Sequence, residues 1–308
     1  VDFAGWEMPL RYGSIIEEHQ AVRTSGGVFD VSHMGRVSIK GRHARRLLEI
    51  TCTRKIYDMQ EGQCRYSLVC NEHGGVKDDV LVYRHDSDDF LLVVNASNRE
   101  KILAHLDDVV AQRELTCSID DQTLSTAMIA VQGPKVMDFI GKFSSEIPSL
   151  KRYRFTTKNL MVMKVLVSRT GYTGENGVEA ILPAKAVGMA MKLLLKDVDL
   201  EAADAPVKLA GLGARDSLRL EAGMPLYGNE LGEDINALAS GLGFAISFDK
   251  NEDQRGEAFI GMEALQRTQA EGGPKRVRVG LKMDGKRVAR GHCVVMRGES
   301  EVGEVTSG

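Results

Sequence analysis

The apolar residues of this chain come in short runs, and none is long enough for a membrane-spanning helix. The longest runs, such as Phe90–Val94, have the length of a strand, far below the roughly 20 apolar residues that a helix needs to cross a bilayer. A chain of 308 residues, 43% of them hydrophobic, can still bury two or three cores. These properties predict a soluble globular protein of several packed domains.

The charge balance and the cysteines exclude several classes of function. The chain has 40 Lys and Arg against 43 Asp and Glu, so it has no basic excess for binding a nucleic-acid backbone. Its five cysteines include no Cys-x-x-Cys pair, so neither a disulfide framework nor a zinc knuckle is predicted. No signal-peptide pattern is visible. We therefore expect a bacterial cytoplasmic protein, or a mitochondrial matrix protein if the source is eukaryotic.

Helical and strand-like patterns alternate along most of the chain. Ser14 with Glu17 and Ser97 with Glu100 are capping-box signatures, each followed by helically spaced apolar residues. Further helices are predicted at 42–50, 184–195 and 209–221, and strands at 28–40, 66–70, 78–83, 90–95, 115–119, 127–131, 160–167 and 178–182. Residues 71–75 would be the turn of a hairpin. Neighbouring strands with helices packed on one side predict an α+β fold.

The pattern changes to strands alone beyond Gly273-Pro274. Predicted strands lie at 278–283, 293–296 and 302–305, without helical spacing between them. We therefore predict a domain boundary at this point and a separate β domain at 275–308. This domain is expected to be incomplete at Gly308.

Several motifs of nucleotide, metal and serine chemistry are missing from the sequence. There is no phosphate-binding G-x-x-x-x-G-K-[ST], and the segment 211–216 has Asp216 where a dinucleotide fingerprint needs its third glycine. The seven histidines lack the spacing of metal ligands. H-E-x-x-H and G-x-S-x-G do not occur. The sequence therefore predicts neither a metal centre nor a serine nucleophile.

Two adjacent aspartates begin the second strand of the predicted hairpin. Because alternate residues of a strand face opposite ways, Asp79 shares a face with Tyr83, and Asp78 shares the other face with Val82. A carboxylate in a mostly apolar strand costs free energy unless it is hydrogen-bonded. Such a residue is either part of the turn or a functional group. The local sequence alone favours the turn.

Six separated segments carry a more specific signal. They are 1–9 (VDFAGWEMP), 29–35 (FDVSHMG), 71–79 (NEHGGVKDD), 94–98 (VNASN), 169–177 (RTGYTGENG) and 213–221 (GARDSLRLE). In order and spacing they resemble the aminomethyltransferase (T-protein) family of the glycine cleavage system. Each segment is weak alone, but the combination is specific because it spans most of the chain.

The resemblance implies a fold and a reaction. The fold would have two ferredoxin-like α+β units and a C-terminal β-barrel around a central folate-binding hole. Residues 1–260 would form the folate-binding region, with the second α+β subdomain inserted at about 45–125, and 275–308 would belong to the barrel. In the implied reaction, an aminomethyl group on the dihydrolipoyl arm of H-protein passes to the co-substrate tetrahydrofolate, which releases ammonia and gives methylenetetrahydrofolate. Lipoylated H-protein and the other glycine cleavage components are the implied partners, without a metal, nucleic acid or membrane.

The resemblance also assigns roles to individual residues. By position, the family's catalytic aspartate falls on Asp79, where a partly buried carboxylate would orient the folate nitrogen and stabilise developing positive charge. The residues implied at the folate pocket are Met34, Tyr66, Tyr83, Asn95, Tyr172, Glu179, Arg215 and Phe244. Phe244 lies in a segment that departs from the family, which often has Trp there. Each has a structural alternative, because tyrosines in strands are usually core residues and charged residues are usually solvated.

Other functions remain open on the sequence. A folate-dependent demethylase and the folate domain of a methylglycine oxidase share the implied fold. A non-catalytic, folate-binding maturation factor of iron–sulfur enzymes is a third possibility. That family typically carries a K-G-C-Y-x-G-Q-E segment, which does not occur here. The complete Gly-Gly-x-x-Asp-Asp element favours the transferase.

Overall fold

The computed structural model of the chain describes residues 1–160, 163–202, 204–285 and 287–308. Its strands are β1 (Asp2–Phe3), β2 (Trp6–Glu7), β3 (Gly27–Asp30), β4 (Gly35–Lys40), β5 (Gln63–Cys70), β6 (Val76–Arg84), β7 (Asp89–Val94), β8 (Ser118–Asp121), β9 (Thr126–Gln132), β10 (Phe155–Leu160), β11 (Met163–Ser168), β12 (Gly177–Pro183), β13 (Lys208–Leu209), β14 (Val294–Arg297) and β15 (Ser300–Glu304). Its helices are α1 (Ile15–Thr24), α2 (Ala44–Thr51), α3 (Arg99–Gln112), α4 (Val136–Gly141), α5 (Glu146–Ser149), α6 (Val187–Leu194), α7 (Leu212–Glu221) and α8 (Met262–Ala270). Short 3-10 turns lie at Ala96–Asn98, Ala184–Ala186, Ala237–Ser240 and Gly243–Ala245. The predicted α+β class is confirmed.

The predicted elements before residue 222 are present, although several of their ends differ. The single strand predicted at 28–40 is two strands, β3 and β4, separated by a loop at 31–34. The strand predicted at 115–119 is β8, three residues later in the chain. The strand predicted at 160–167 overlaps β11, which ends one residue later, while Leu160 is the last residue of β10. Residues 161 and 162 lie outside the described residues.

The capping box predicted at Ser14 does not form. Ser14 is the N-cap residue of α1, but its side chain makes no capping hydrogen bond. The neighbouring backbone amides bind Glu18 instead, whose Oε1 accepts from the amides of Tyr12 at 2.7 Å and Gly13 at 2.8 Å. Its other oxygen, Oε2, accepts from the amide of Gly211 at 2.9 Å, directly before α7. Glu18 is buried, so these amides compensate the cost of removing its charge from water.

The chain divides into two compact units. Unit 1 comprises Val1–Arg45, Met59–Arg65 and Leu81–Ala222, and unit 2 comprises Arg46–Asp58, Tyr66–Val80 and Gly223–Gly308. Strands β5 and β6 each pass from one unit into the other. In unit 1, six strands form a sheet in the order β10-β11-β12-β9-β3-β13, in which only the short β13 runs parallel to its neighbour. None of the helices in the described residues is long and apolar enough to cross a membrane.

Both faces of the six-stranded sheet are covered by apolar side chains. On one face Ile181 of β12 belongs to a cluster with Leu218 of α7. On the other face the next residue, Leu182, belongs to a cluster with Phe139 of α4. Successive residues of a strand face opposite ways, so β12 is buried on both sides. Its backbone, and the side chains on it, are therefore held firmly in place.

Unit 2 has a core of its own, and its C-terminal segment is largely exposed. Leu68 of β5, Val76 of β6 and Leu265 of α8 belong to this core. Strands β14 and β15 pair antiparallel as one hairpin. The strand predicted at 278–283 is wrong, because these residues pair with no strand in the described part of the chain and their apolar side chains are exposed. No sheet closes into a barrel among the described residues.

A buried lysine fixes the segment after α2 in unit 2. The ammonium group of Lys250 donates to the carbonyls of Glu49 and Cys52, both at 2.7 Å, and of Arg54 at 2.8 Å. It also forms an ion pair with Oε2 of Glu49 at 2.9 Å. Oε1 of Glu49 accepts from the amide of Ile56 at 2.6 Å. Both charged groups are fully buried, so each depends on the other for compensation.

We expect Lys250→Met to lower the free energy of unfolding by about 3–5 kcal/mol, because it leaves the Glu49 carboxylate buried without its partner. The matched control is Lys55→Met, which removes an ion pair with the exposed Asp249 and should cost less than about 1 kcal/mol. Urea denaturation of both variants measures the difference. Equal losses in the two variants would contradict the role assigned to Lys250.

Candidate active site

A tight turn brings the chain into strand β6. Oδ1 of Asn71 accepts from the amides of His73 at 3.0 Å and Gly75 at 2.9 Å. Gly74 has a φ of +81°, which glycine adopts without strain. A Cβ on Gly75 would lie 1.7 Å from the carbonyl oxygen of Glu233, so no larger residue fits at this position. The two glycines therefore permit the turn that sets the register of the aspartates.

Asp78 and Asp79 lie on opposite sides of strand β6. Asp78 is fully buried, in line with Val76 and Val80. Asp79 is half-buried, and its Oδ2 accepts a hydrogen bond of 2.9 Å from the hydroxyl of Tyr66 on strand β5. The separation of the two carboxylates predicted from strand alternation is therefore present, with Asp78 as the inward-facing one.

An aromatic surface lies beside Asp79 in unit 2. The ring of Tyr66 is stacked on that of Phe244, with ring centroids 6.0 Å apart and planes inclined by 28°. Phe244 is 63% exposed, although a phenylalanine has no polar group that gains from contact with water. The group of Asp79, Tyr66 and Phe244 thus combines a carboxylate held at one oxygen with an accessible ring face, which suits a flat, nitrogen-rich ligand.

In unit 1 the side chain of Gln132 holds the loop at 169–177 in place. The amide nitrogen of Gln132 donates to the carbonyls of Thr170 at 3.1 Å and Val178 at 3.2 Å. Its amide oxygen accepts from the hydroxyl of Thr173 at 3.2 Å. A Cβ on Gly171 would lie 1.9 Å from the same oxygen, so the loop can approach this closely only with glycine there. These bonds fix the loop that carries Thr170 and Tyr172.

Glu179 is a buried carboxylate on strand β12. Its Oε2 accepts a hydrogen bond of 2.5 Å from the hydroxyl of Thr170. Burial raises the pKa of Glu179, while the Thr170 hydroxyl and the positive charge of Arg215 act against that rise. The ionised form therefore depends on these two neighbours.

Arg215 of helix α7 lies over the ring of Tyr172, with 4.8 Å from the guanidinium carbon to the ring centroid. Burial lowers the pKa of Arg215, and the negative charge of Glu179 opposes this effect. The residues that surround Arg215 on one side are Met8, Pro9, Phe29, Asp30, Ala210, Gly211 and Leu212. The guanidinium can present its donors to a carbonyl or carboxylate of a ligand.

The loop that contains His33 and Met34 is held by a buried arginine. The guanidinium of Arg36 donates to the carbonyl of Ser32 at 3.1 Å and to that of Met34. His33 is buried with its ring edge against Phe3, at a centroid distance of 5.2 Å. Burial, and then the charges of Arg215 and Arg36, lowers the pKa of His33 to about 3. His33 is therefore neutral over the physiological pH range.

The remaining candidates also lie in unit 1. Tyr83 is fully buried, and its hydroxyl is 3.2 Å from that of Ser168. Asn95 is half-buried at the residue before a 3-10 turn. Met34 is half-buried against the core that contains Tyr83. The structure thus brings Asp79, Tyr66 and Phe244 together in unit 2, and Glu179, Arg215 and Tyr172 together in unit 1.

Sequence reasoning did not single out the residues that hold this site in place. They are Arg36, Gln132, Ser168 and Thr170. Thr170 lies inside the segment 169–177 given above. Its polar side chain at that point was the one signal from which its role could have been suspected. Gln132 and Arg36 lie in strands and have no local pattern that distinguishes them from solvated residues, because their partners are distant in sequence.

A family model matches most of this chain. The model of the GCVT N-terminal domain matches residues 1–250 of the chain. This match covers the strands and turns that carry every candidate residue described above. It defines the class of protein, a transferase domain of the glycine cleavage type.

Individual relatives give the same result over the whole chain. An aminomethyltransferase from Rubrobacter xylanophilus is 46% identical over all of this chain and 78% of its own length. One from Bacillus pumilus is 44% identical over all of this chain and 82% of its own length. The crystal structure of the glycine cleavage system aminomethyltransferase T from Bartonella henselae is similar, with a TM-score of 0.88 and 31% identity over all of this chain and 81% of the other. The chain therefore belongs to the aminomethyltransferase family of the glycine cleavage system, and the resemblance predicted from its sequence is confirmed.

We expect His33 to remain neutral in the folded protein down to pH 5, because its pKa lies near 3. In the unfolded chain the His33 imidazole binds a proton near pH 6.5. Below that pH the unfolded state therefore binds one proton more than the folded state, and the stability of the folded state falls. The free energy of unfolding of wild type relative to His33→Asn should then fall by about 1.4 kcal/mol per pH unit. Imidazole nitrogen shifts measured by NMR, assigned with the same variant, report the protonation directly. A His33 resonance that titrates near pH 6.5 would contradict this assignment.

Proposed function

We propose that this chain transfers the aminomethyl carbon carried by the dihydrolipoyl arm of H-protein to tetrahydrofolate, with release of ammonia and formation of methylenetetrahydrofolate. We propose Asp79 as the catalytic residue of this reaction. The observation that carries this proposal is the half-buried Asp79 carboxylate, which is fixed at one oxygen by Tyr66. The family to which the chain belongs uses tetrahydrofolate as a substrate, and its members named above are aminomethyltransferases.

The proposed work of Asp79 follows from its geometry. The Tyr66 hydroxyl occupies Oδ2, so the carboxylate is oriented before any ligand arrives. A carboxylate in this position can accept a hydrogen bond from an attacking nitrogen and raise its nucleophilicity. It can also stabilise the positive charge that develops as the carbon–nitrogen bond to ammonia breaks. No covalent bond to the protein is required.

Each of the two groups of residues offers proposed folate contacts of its own. A pterin presents a flat ring, which Phe244 and Tyr66 can stack against in unit 2. Its aminopyrimidine edge carries N–H donors, and the carboxylate of Glu179 in unit 1 is an acceptor for them. Arg215 and Tyr172 offer donors and a ring face beside Glu179, and Tyr83, Asn95 and Met34 are proposed as further pocket residues. This donor and acceptor set fits a reduced folate.

The arrangement of the family is part of the same proposal. It has two ferredoxin-like units, with residues 1–260 as the folate-binding region and a subdomain inserted at about 45–125, and assigns 275–308 to a separate C-terminal domain. The overall similarity to the Bartonella henselae structure supports it. Lipoylated H-protein and the other glycine cleavage components are the proposed partners. The bacterial relatives and five free cysteines support a cytoplasmic location.

We expect Asp79→Asn to lower aminomethyl transfer by on the order of two or more decades, because it removes a positioned acid–base group. Folding and tetrahydrofolate binding should change little, since Asp79 is half-buried and Asn can still accept from Tyr66. The assay is release of ammonia from aminomethylated H-protein that depends on added tetrahydrofolate.

The adjacent Asp78→Asn is the matched control for this substitution. Asp78 is fully buried, so the same chemical change should lower thermal stability, while the folded fraction keeps its turnover. Near wild-type turnover in Asp79→Asn would overturn the catalytic role. Demethylation of a methylglycine donor, with no transfer from H-protein, would indicate a folate-dependent demethylase instead.

A further inference from the structure

Three hydroxyl groups form a continuous chain behind the carboxylate of Glu179. The Thr170 hydroxyl bonds Oε2 of Glu179 at 2.5 Å, and the Ser168 hydroxyl lies 2.6 Å from that of Thr170. The Tyr83 hydroxyl is 3.2 Å from Ser168 and 3.5 Å from Thr170. Tyr83, Ser168, Thr170 and Glu179 are all buried. These groups belong to unit 1, and they lie on the face of the six-stranded sheet that includes Ile181.

The direction of the hydrogen bond between Thr170 and Glu179 is fixed by counting hydrogens. Each hydroxyl has one hydrogen to donate. A carboxylate can only accept, so the hydrogen of Thr170 points to Glu179. The oxygen of Thr170 is then left as an acceptor for the hydroxyl of Ser168 at 2.6 Å or of Tyr83 at 3.5 Å. The Ser168 hydroxyl also lies 3.3 Å from the backbone carbonyl oxygen of Glu179, to which it can donate. The Thr170 hydroxyl is thus polarised toward the carboxylate, and a donor that bonds its oxygen strengthens its own bond to Glu179.

The two oxygens of Glu179 therefore differ in their surroundings. Oε2 accepts from the Thr170 hydroxyl, whereas Oε1 makes no hydrogen bond to any residue that the structure describes. The titratable and charged groups that interact with Glu179 are Arg215 on α7, Tyr83 on β6 and Cys64 on β5. Among them only Arg215 is cationic. The carboxylate is thus oriented through Oε2, and Oε1 has no hydrogen-bond partner among the described residues.

We infer that Thr170 is a positioning residue for Glu179, which turns Oε1 toward the ligand by holding Oε2, with Ser168 as the second member of the support. The inference rests on the proposed function, because it takes a folate as the ligand that Glu179 contacts. The Thr170 hydroxyl bonds Oε2 and not Oε1, so its effect on ligand affinity is indirect and acts through the orientation of Glu179. Thr170 itself makes no contact with the reacting atoms.

The test is the affinity for tetrahydrofolate, measured by titration calorimetry on the full chain and independently of turnover. We expect Thr170→Val to weaken the Kd about tenfold, as the loss of a hydrogen bond to a charged group does. Thr170→Ser keeps the hydroxyl and should restore wild-type affinity. Ser168→Ala removes the second donor only and should give an intermediate value.

The pH dependence of the Kd separates positioning from general damage. Thr170 favours the ionised form of Glu179, so its loss lets burial raise the pKa further. The affinity for tetrahydrofolate should fall on the acid side as Glu179 becomes protonated, and this acid limb of binding should lie at higher pH in Thr170→Val. Thr173→Val is the matched control, because Thr173 is a buried threonine of the same loop whose hydroxyl bonds Gln132 instead. It should lower thermal stability without moving the acid limb.

The possible results are distinguishable. Wild-type affinity and an unchanged acid limb in folded Thr170→Val would overturn the inference, provided that Glu179→Gln has lost affinity. The same changes in Thr173→Val as in Thr170→Val would also overturn it, because they would reflect the loop in general. Wild-type protein that does not bind tetrahydrofolate would overturn the proposed function and the inference together. If Thr170→Val were unfolded, the comparison of Ser168→Ala with Thr173→Val would decide in the same way.

Discussion

The alternation of side chains along a strand is the constraint on which the candidate site depends. In β6 it directs Asp78 into the core and leaves Asp79 half-buried, although the two residues are chemically identical neighbours. A shift of one residue in the register would exchange their environments. The turn before the strand opposes a shift that would bring Val76 to the position of Gly75, because a Cβ there would lie 1.7 Å from the carbonyl oxygen of Glu233. Backbone geometry thus decides which of the two carboxylates is half-buried and which is fully buried.

In unit 1 the site is built from buried polar groups that compensate one another. Glu179 would be costly in a sheet covered on both faces, and the hydroxyl of Thr170 and the charge of Arg215 reduce that cost. The loop that supplies Thr170 is itself fixed by the amide of Gln132. Most of these polar groups are hydrogen-bonded to other groups of the protein, so few of them have to rearrange when a ligand binds. Such pre-organisation is what an enzyme needs to stabilise a transition state.

Sequence reasoning predicted the features that depend on local pattern. The α+β class, the hairpin around residues 71–75 and the opposite orientation of Asp78 and Asp79 all follow from periodicity and turn residues. It was wrong at Ser14, where the amides before the helix bind Glu18, and at 278–283, where alternation of apolar residues produces no strand. An alternating segment becomes a strand only if a partner strand is available to it. That condition is not visible in the segment itself.

Arg36 and Thr170, which support the candidate site, could not be identified from the sequence for a related reason. Arg36 holds the loop of His33 and Met34 through carbonyl groups, and every backbone has carbonyl groups. Thr170 is distinguished from other threonines only by the carboxylate it meets nine residues later. The roles proposed for Asp79 and Glu179 rest on resemblance over the whole chain, since their local sequence allows an ordinary structural role. Long-range contacts therefore carry the information that local reasoning lacks.

The surroundings of Lys250 have a consequence for which substitutions this part of the fold can accept. Three carbonyl oxygens and one carboxylate oxygen surround its ammonium group, much as oxygen ligands surround a bound metal cation. An ammonium group can serve several directions because it is compact and rotates freely about its stem. A guanidinium is planar and larger, so arginine would bring the same charge in a shape that this cage does not fit. The position therefore selects for the geometry of the cation as well as for its sign.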